Sequence, residues 1–327
     1  NAGIPYEIFS EIKPNPTVSN VKAGVEAFAK SGADFILAIG GGSSIDTSKA
    51  IGIITNNPDF SDVVSLEGVA PTKSVPIIAL PTTAGTAAEV TINYVITDEE
   101  NHKKMVCVDP NDIPAIAIVD AELMYTLPKG LTASTGLDAL THAIEGLITK
   151  GAWEMSDMFE IKAIEMIARY LETAVFEPTN AEARNGMAVA QYIAGMAFSN
   201  VGLGVVHGMA HPLGAIFDIP HGVANALLLP VIMEFNAPAA LSKYVDIAKA
   251  MNVYKDGMSR EEAAKAAVEA VKALSVKVGI PQHLSELGIK EEDLPRLAAS
   301  AIADVCTPGN PREVTEEIIL ELYKKAF

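Results

Sequence analysis

The sequence predicts an α/β unit built on a parallel sheet, joined near residue 121 to an all-helical unit. Three observations carry that prediction. Through the first third of the chain, short apolar runs alternate with helix-patterned stretches. After Ala121 strand-like runs vanish, and helical periodicity continues to Phe327. At 327 residues, 49% hydrophobic and 20% charged, the chain is long enough for two domains with sizeable cores.

The elements follow in order. Tyr6 to Ile12 reads as a strand, and Pro14-Asn15-Pro16-Thr17 breaks the chain after it. Thr17 or Ser19 caps a helix that runs to about Lys30. Asp34 to Ile39 is nearly all apolar, the pattern of a strand buried on both faces. Gly40-Gly41-Gly42-Ser43-Ser44-Ile45-Asp46 follows directly and opens a helix to about Thr55. Val75 to Leu80 is a further buried strand, leading into Pro81-Thr82-Thr83-Ala84-Gly85-Thr86. Thr91 to Thr97 and Lys104 to Val108 read as a hairpin about Asp98-Glu99-Glu100-Asn101. Ala115 to Val119 is the last strand, ended by Asp120. Beyond it the helices are punctuated at Pro128, Pro178, Pro220, Pro230 and Pro281.

Charge and cysteine usage narrow the function. The net charge of −17, with no Lys/Arg stripe to offset it, argues against a nucleic-acid partner. The two cysteines, Cys107 and Cys306, stand far apart in neither metal nor redox spacing. They read as buried thiols in a reducing cytoplasm. The N-terminus has neither a basic start nor an apolar core, so it does not read as a signal peptide. Met187 to Phe217 is the longest apolar stretch, but Gln191, Asn200, His207, His211 and Pro212 interrupt it. It therefore reads as core helix rather than as a membrane span.

A strand, then three glycines and a serine, then a helix start is a physical recipe for holding a phosphate. Glycine lets the backbone approach the anion, and free N–H groups at the helix start point toward it. The order is neither the G-x-G-x-x-G fingerprint nor the Walker A pattern. The loop instead pairs with Thr82-Thr83-Ala84-Gly85-Thr86 at the end of the next strand, and open α/β sheets bind ligands at such carboxyl ends. Gly41, Gly42, Ser43 and Asp46, then Thr82, Thr83 and Thr86, are the expected phosphate or dinucleotide contacts.

Four of the six histidines fall in two segments of the helical part. In Gly136-Leu137-Asp138-Ala139-Leu140-Thr141-His142-Ala143-Ile144-Glu145, Asp138 and His142 are four apart and share a helix face. In His207-Gly208-Met209-Ala210-His211-Pro212, the two histidines again share a face, and His221 follows shortly after. Such groups in apolar segments are costly unless partnered, and together they suit a divalent metal. One carboxylate with imidazoles accommodates Fe(II), Zn(II) or Mn(II). Spacing makes Asp138 and His142 a pair and leaves His207, His211 and His221 all eligible. Glu145 reads equally as an outer partner or as a solvated helix face, while His102 and His283 read as surface residues.

Across essentially the whole chain, these motifs and Pro81-Thr82-Thr83-Ala84-Gly85-Thr86-Ala87-Ala88-Glu89 resemble the iron-containing (group III) alcohol dehydrogenases. The resemblance implies a Rossmann-like NAD-binding domain over 1–121 and a helical metal and substrate domain over 122–327, the dehydroquinate synthase-like fold, as a homodimer. It implies metal ligands at Asp138, His142, His207 and His221, with His211 moved out of the ligand set as the proton-transfer candidate. It implies NAD(H) contacts at Asn15, Gly42, Ser43, Ser44, Ile45, Asp46, Thr82, Thr83, Thr86, Val95 and Lys104. The activity implied is hydride transfer between NAD(H) and a small primary alcohol or 1,2-diol and its aldehyde, of the lactaldehyde to propane-1,2-diol type. Fe(II) is the expected metal, with Zn(II) the alternative. A zinc glycerol dehydrogenase-like enzyme and an inactive, truncated metal-binding dimer are the competing expectations. The family pattern begins with one further βαβ unit, which carries the acidic residue that selects NAD over NADP. This sequence starts about one such unit later.

Overall fold

A computed structural model describes residues 3–60, 68–101 and 103–327. His102 lies outside the described residues. The chain divides into two compact units, one of Asn1–Thr82 with Ala87–Asp120, the other of Thr83–Thr86 with Ala121–Phe327.

In the first unit, helix α1 (Val18–Ser31) is capped by Thr17, whose side chain accepts the Asn20 N–H. Strand β1 (Ile36–Gly40) leads into helix α2 (Gly42–Asn56), and β2 (Ile77–Pro81) and β5 (Ile116–Ala117) complete a parallel sheet of order β1-β2-β5. Ile36 pairs with Ile77 and Gly40 with Pro81, so the glycine loop and the Thr82 loop leave neighbouring strands at the same end. β3 (Asn93–Asp98) and β4 (Lys103–Val108) form the antiparallel hairpin. Its inward residues Tyr94, Ile96, Met105 and Cys107 pack with Val18, Val21, Ala50, Ile51 and Ile54 of α1 and α2.

Three expectations for this unit need correction. Tyr6 to Ile12 is not a strand. Its backbone is tied to a helix side chain instead of a ladder: Asn20 Nδ2 donates to the Glu11 carbonyl, and Asn20 Oδ1 accepts the Lys13 N–H. β1 is buried on one face only. Ala38 packs with Ile45, Ile77 and Ala79, while Phe35, Leu37 and Ile39 are exposed, because no described element covers their side of the sheet. β5 has two residues rather than five, although Ala115 and Ile118 N–H still bond the carbonyls of Ile77 and Ala79.

The second unit is helical: α3 (Lys129–Ile148), α4 (Glu154–Phe176), α5 (Ala181–Val201), α6 (Val205–Phe217), α7 (His221–Asn236), α8 (Leu241–Ala250), α9 (Arg260–Lys277), α10 (Leu294–Ile302) and α11 (Glu316–Ala326). α3 is buried along nearly its whole length, which is what an inward Asp and His require. The Met187–Phe217 stretch divides into α5 and α6, set at 102° and largely buried. His221–Ala239 is long and apolar enough to cross a membrane, but Leu227, Leu228, Leu229, Ile232 and Met233 pack inside the unit. Neither Pro212 nor Pro230 ends its helix; each lies within one. A proline forfeits one backbone bond, and burial of the surrounding residues outweighs that loss.

Candidate functional site

α3 places Asp138, His142 and Glu145 on its buried side, and α6 and α7 bring His207 and His221 to meet them. The close approach of α7 to α3 depends on Gly222, where a Cβ would stand 2.6 Å from the Ser134 carbonyl oxygen. One ligand-type atom each from Asp138, His142, His207 and His221 lies within 4.8 Å of all the others. His211, which spacing left eligible, falls in a separate group with Asp304 and Cys306.

The surroundings favour neutral imidazoles. Burial pushes His142 down to about 4, and His207 down to about 3, so both keep a lone pair at neutral pH. His142 stacks between Phe198 and His207, at 4.3 and 4.7 Å between ring centroids. Glu145, 1% exposed, is no solvated face. Its Oε2 lies 2.6 Å from His207 Nδ1, and its Oε1 accepts the Val206 N–H at 2.7 Å. Burial raises Glu145 to about 7 against those bonds. A proton on His207 Nδ1 shared with Glu145 leaves Nε2 turned toward the cluster, the arrangement of a metal-bound histidine with an outer carboxylate.

The sequence gives Asn225 and Asp304 no role, and reads Cys306 only as a buried thiol. Asn225 Nδ2 donates to Asp138 Oδ1 at 2.7 Å and lies 3.1 Å from Nε2 of both His207 and His221. Its position four residues after His221 on one helix was the available signal. Asp304 Oδ2 lies 2.8 Å from His211 Nδ1. Burial works to raise Asp304, but His211 and the Cys306 N–H outweigh it and hold the carboxyl below its ordinary range. Cys306 is partly exposed, not a buried apolar filler, whereas Cys107 is fully buried. His283 is exposed, as expected.

The four residues fit a divalent ion. His142 Nδ1 and Asn225 Oδ1 are buried without a hydrogen-bond partner among the described residues, a costly state that a polar or ionic neighbour relieves. The donor set is one carboxylate and three imidazoles, with no thiolate, which suits Fe(II) or Zn(II).

The nucleotide-type residues sit at the sheet's carboxyl end. Gly41 caps α2 without a side-chain bond, so the first-turn N–H groups of Gly42 and Ser43 have no cap acceptor. Gly40 has φ +154°, and a Cβ there would meet Ser44 Oγ at 2.3 Å. Ser44 and Ile45 N–H close onto the Gly41 carbonyl. Several of the other candidates are joined in pairs: Thr82 N–H to Gly40 O at 2.9 Å, Val95 N–H to Asp46 Oδ2 at 3.0 Å, and Lys104 Nζ to Asn15 Oδ1 at 2.9 Å. Burial raises Asp46 to about 6. Thr83 and Thr86 belong to the helical unit, where a Cβ on neighbouring Gly85 would press on Thr135.

Fold and site together define a metalloenzyme that couples a helical metal-binding unit to an α/β unit of nucleotide-binding type. The family model "Fe-containing alcohol dehydrogenase family, C-terminal" matches residues 132–327, and "Iron-containing alcohol dehydrogenase" matches residues 1–121. Lactaldehyde reductase of Escherichia coli (strain K12) is 60% identical over 328 residues, covering 100% of this chain and 85% of that protein. Among solved structures, an alcohol dehydrogenase from Oenococcus oeni superposes with a TM-score of 0.96 at 40% identity, covering 99% of this chain and 85% of that one. Sulfoacetaldehyde reductase from Bifidobacterium kashiwanohense in complex with NAD+ gives 0.87 at 36% identity, covering 97% and 82%. The chain belongs to the iron-containing alcohol dehydrogenase family and is an oxidoreductase.

Proposed function

We propose that this chain reduces a short aldehyde to its primary alcohol with NADH, and runs the reverse oxidation with NAD, on substrates of the lactaldehyde and propane-1,2-diol type. The observation that carries the reading is the convergence of Asp138, His142, His207 and His221 within 4.8 Å, beside a histidine paired to a carboxylate. The 60% identity to a lactaldehyde reductase supports the substrate class, and the relative solved with NAD+ supports the nicotinamide.

Residues 122–327 form the metal and substrate domain, and Asp138, His142, His207 and His221 hold Fe(II), with Zn(II) as the alternative occupant. When bound, the metal supplies Lewis acidity to the substrate oxygen and NADH supplies the hydride. Residues 1–121 form the dinucleotide domain. Gly41, Gly42 and Ser43 receive the pyrophosphate on backbone N–H groups at the start of α2, while Ser44 and Ile45, whose N–H groups bond the Gly41 carbonyl, hold that loop closed. Asp46 with Val95, and Lys104 with Asn15, fix the walls of that site through their paired bonds. Thr82, Thr83 and Thr86 contribute hydroxyls. His211 exchanges the proton with the substrate oxygen, because one imidazole nitrogen can give or take a proton while the other stays bonded to its carboxylate partner. The protein is further proposed to be a cytoplasmic homodimer, a reading supported by the wide separation of Cys107 and Cys306 in the sequence and by the family resemblance.

Metal analysis of the purified protein, with NADH oxidation measured on lactaldehyde and on dihydroxyacetone, tests the activity. Turnover on lactaldehyde that disappears with chelation is the expected result. A metal-replete protein that consumes NADH only with dihydroxyacetone would sink the substrate class. Sedimentation analysis tests the dimer.

A further inference from the structure

Two histidines one helical turn apart on α6 each carry a carboxylate on Nδ1, and the two carboxylates come from different places. His207 meets Glu145 of α3. His211 meets Asp304, in the turn that follows α10, at 2.8 Å. We propose that Asp304 is a positioning residue for proton transfer: it holds His211 in the tautomer with its proton on Nδ1, so that Nε2 exchanges a proton with the substrate oxygen. The proposal rests on the reading that His211 moves that proton.

The local structure is built to keep Asp304 in place. Its second oxygen, Oδ1, accepts the Cys306 N–H at 2.9 Å, so both carboxylate oxygens are engaged. Its backbone N–H bonds the Ala301 carbonyl at 3.3 Å, and its carbonyl accepts the Thr307 N–H at 3.2 Å. Thr307 Oγ1 in turn donates to the Ala301 carbonyl at 2.6 Å. That turn seats directly on α6 because residue 208 is glycine: a Cβ there would stand 2.1 Å from Thr307 Oγ1. Gly208, placed between the two histidines in sequence, is what admits the Asp304 turn. Tyr323 Oη fastens the same stretch of helix by donating to the Met209 carbonyl at 2.6 Å.

The ring itself has little freedom. It lies parallel to His221, 5.5 Å between centroids and 13° between planes, and meets His207 edge-on at 6.0 Å. An Nδ1–H donated to a carboxylate is a charge-assisted bond that fixes which nitrogen keeps its lone pair. The reaction balances as aldehyde plus NADH plus H+ giving alcohol plus NAD+. Hydride forms the new C–H bond, and the carbonyl π pair moves onto oxygen. That oxygen takes the proton from the His211 Nε2–H bond, whose electron pair stays on nitrogen, and solvent later returns a proton. Throughout, the Nδ1 proton stays on the Asp304 side.

The test uses the metal-loaded enzyme with Asp304→Asn, Asp304→Glu, His211→Gln and the Asp304→Asn/His211→Gln double variant. Lactaldehyde reduction with NADH gives kcat and KM, metal content is measured alongside, and imidazole 15N NMR on the zinc-loaded protein reads the tautomer. Expected are an Nδ1–H tautomer at His211 in the parent protein and a fall of about 100-fold in kcat for Asp304→Asn with metal content and the KM for NADH unchanged. Asp304→Glu should recover part of that loss, and the double variant should be no slower than His211→Gln alone. An Nε2–H tautomer in the parent protein overturns the proposal even if Asp304→Asn fails to fold. So does full kcat in Asp304→Asn while His211→Gln is inactive, or losses that multiply in the double variant. Full turnover in His211→Gln instead overturns the reading of His211 on which the proposal stands.

Discussion

His207 Nδ1 and Glu145 Oε2 lie 2.6 Å apart, joining α6 to α3 behind the cluster of candidate metal ligands. Glu145 also receives the Val206 N–H at 2.7 Å, so one buried carboxylate orients both the ligand ring and the helix start that carries it. Removing it frees His207 to rotate and leaves backbone donors without an acceptor. Outer carboxylates of this kind contribute roughly 10–100-fold to metal affinity. Glu145→Ala is expected to weaken metal retention by about that factor, and Glu145→Gln by less, since an amide oxygen still accepts. Competition with a chelator measures both, and unchanged affinity in Glu145→Ala would remove Glu145 from the site.

Acid release of the metal tests the burial of the imidazoles. Their pKa values are lowered, to about 4 for His142 and about 3 for His207, so the neutral ligating form persists well below the ordinary 6.5. Protonation of His142 and His207 should cost no metal affinity from neutral pH down to about pH 5 and should weaken it below that, whereas ordinary imidazoles at these two positions would each cost about tenfold per unit below 6.5. The metal-free protein has the matching linkage. Its folded state binds fewer protons at these residues than the unfolded chain, so stability falls as pH drops through about 6.5 toward 4. A chelator titration and a melting curve across that range check the two effects separately.

The sequence foretold the elements that depend on local pattern, and missed those that depend on contacts between distant segments. Thr17 as a cap, the helix after Gly41, and the pairing of Asp138 with His142 all follow from spacing or from single residues. Asp304 shares no helix, spacing or motif with His211, so their contact is legible only once α10 and α6 pack. Exposure of Leu37 and Ile39 was hidden for a similar reason. An all-apolar run states a preference for burial, but which faces are covered depends on neighbours elsewhere in the chain. Pro230, which the sequence marks as a break, lies inside α7, where buried surroundings override the local rule.

A buried lysine holds the nucleotide-type unit together. Lys49 of α2 is fully buried, and its Nζ donates to the carbonyls of Thr91 at 2.6 Å and Asn93 at 2.8 Å, with Asp112 Oδ1 at 3.7 Å. Burial raises Asp112 to about 8 even though Lys49 pulls the other way. Lys49→Met therefore leaves the Thr91 and Asn93 carbonyls without their donor, and a buried acceptor orphaned in this way costs about 1–3 kcal/mol. Adding Asp112→Asn should return part of the loss. Because Asn93 begins the strand whose Val95 N–H bonds Asp46, NAD(H) binding should weaken too. Denaturant unfolding and NADH titration of the three proteins test this, and a Lys49→Met variant as stable as the parent would refute it.

Two glycines separate the demand of a site from the preference of a helix. Gly222 follows His221 at the start of α7, where an added Cβ would lie 2.6 Å from the Ser134 carbonyl oxygen and 3.4 Å from Asp138 Cβ. The obstruction is backbone, which cannot swing aside as a side chain can, so Gly222→Ala must push the start of α7 away from α3. Overpacking of this kind costs about 1–3 kcal/mol. The displacement falls on His221, and a metal bond of about 2.0–2.1 Å to an imidazole nitrogen tolerates little of it. Gly130, in the first turn of α3, has nothing within 4 Å of the same added atom. There alanine meets no obstacle and gains helix propensity, up to about 1 kcal/mol. The expected pair of results is a Gly222→Ala protein that melts lower and holds metal less tightly, beside a Gly130→Ala protein at least as stable as the parent with its metal intact. Equal metal affinity in the two variants would mean that contact between α7 and α3 does not set the position of His221.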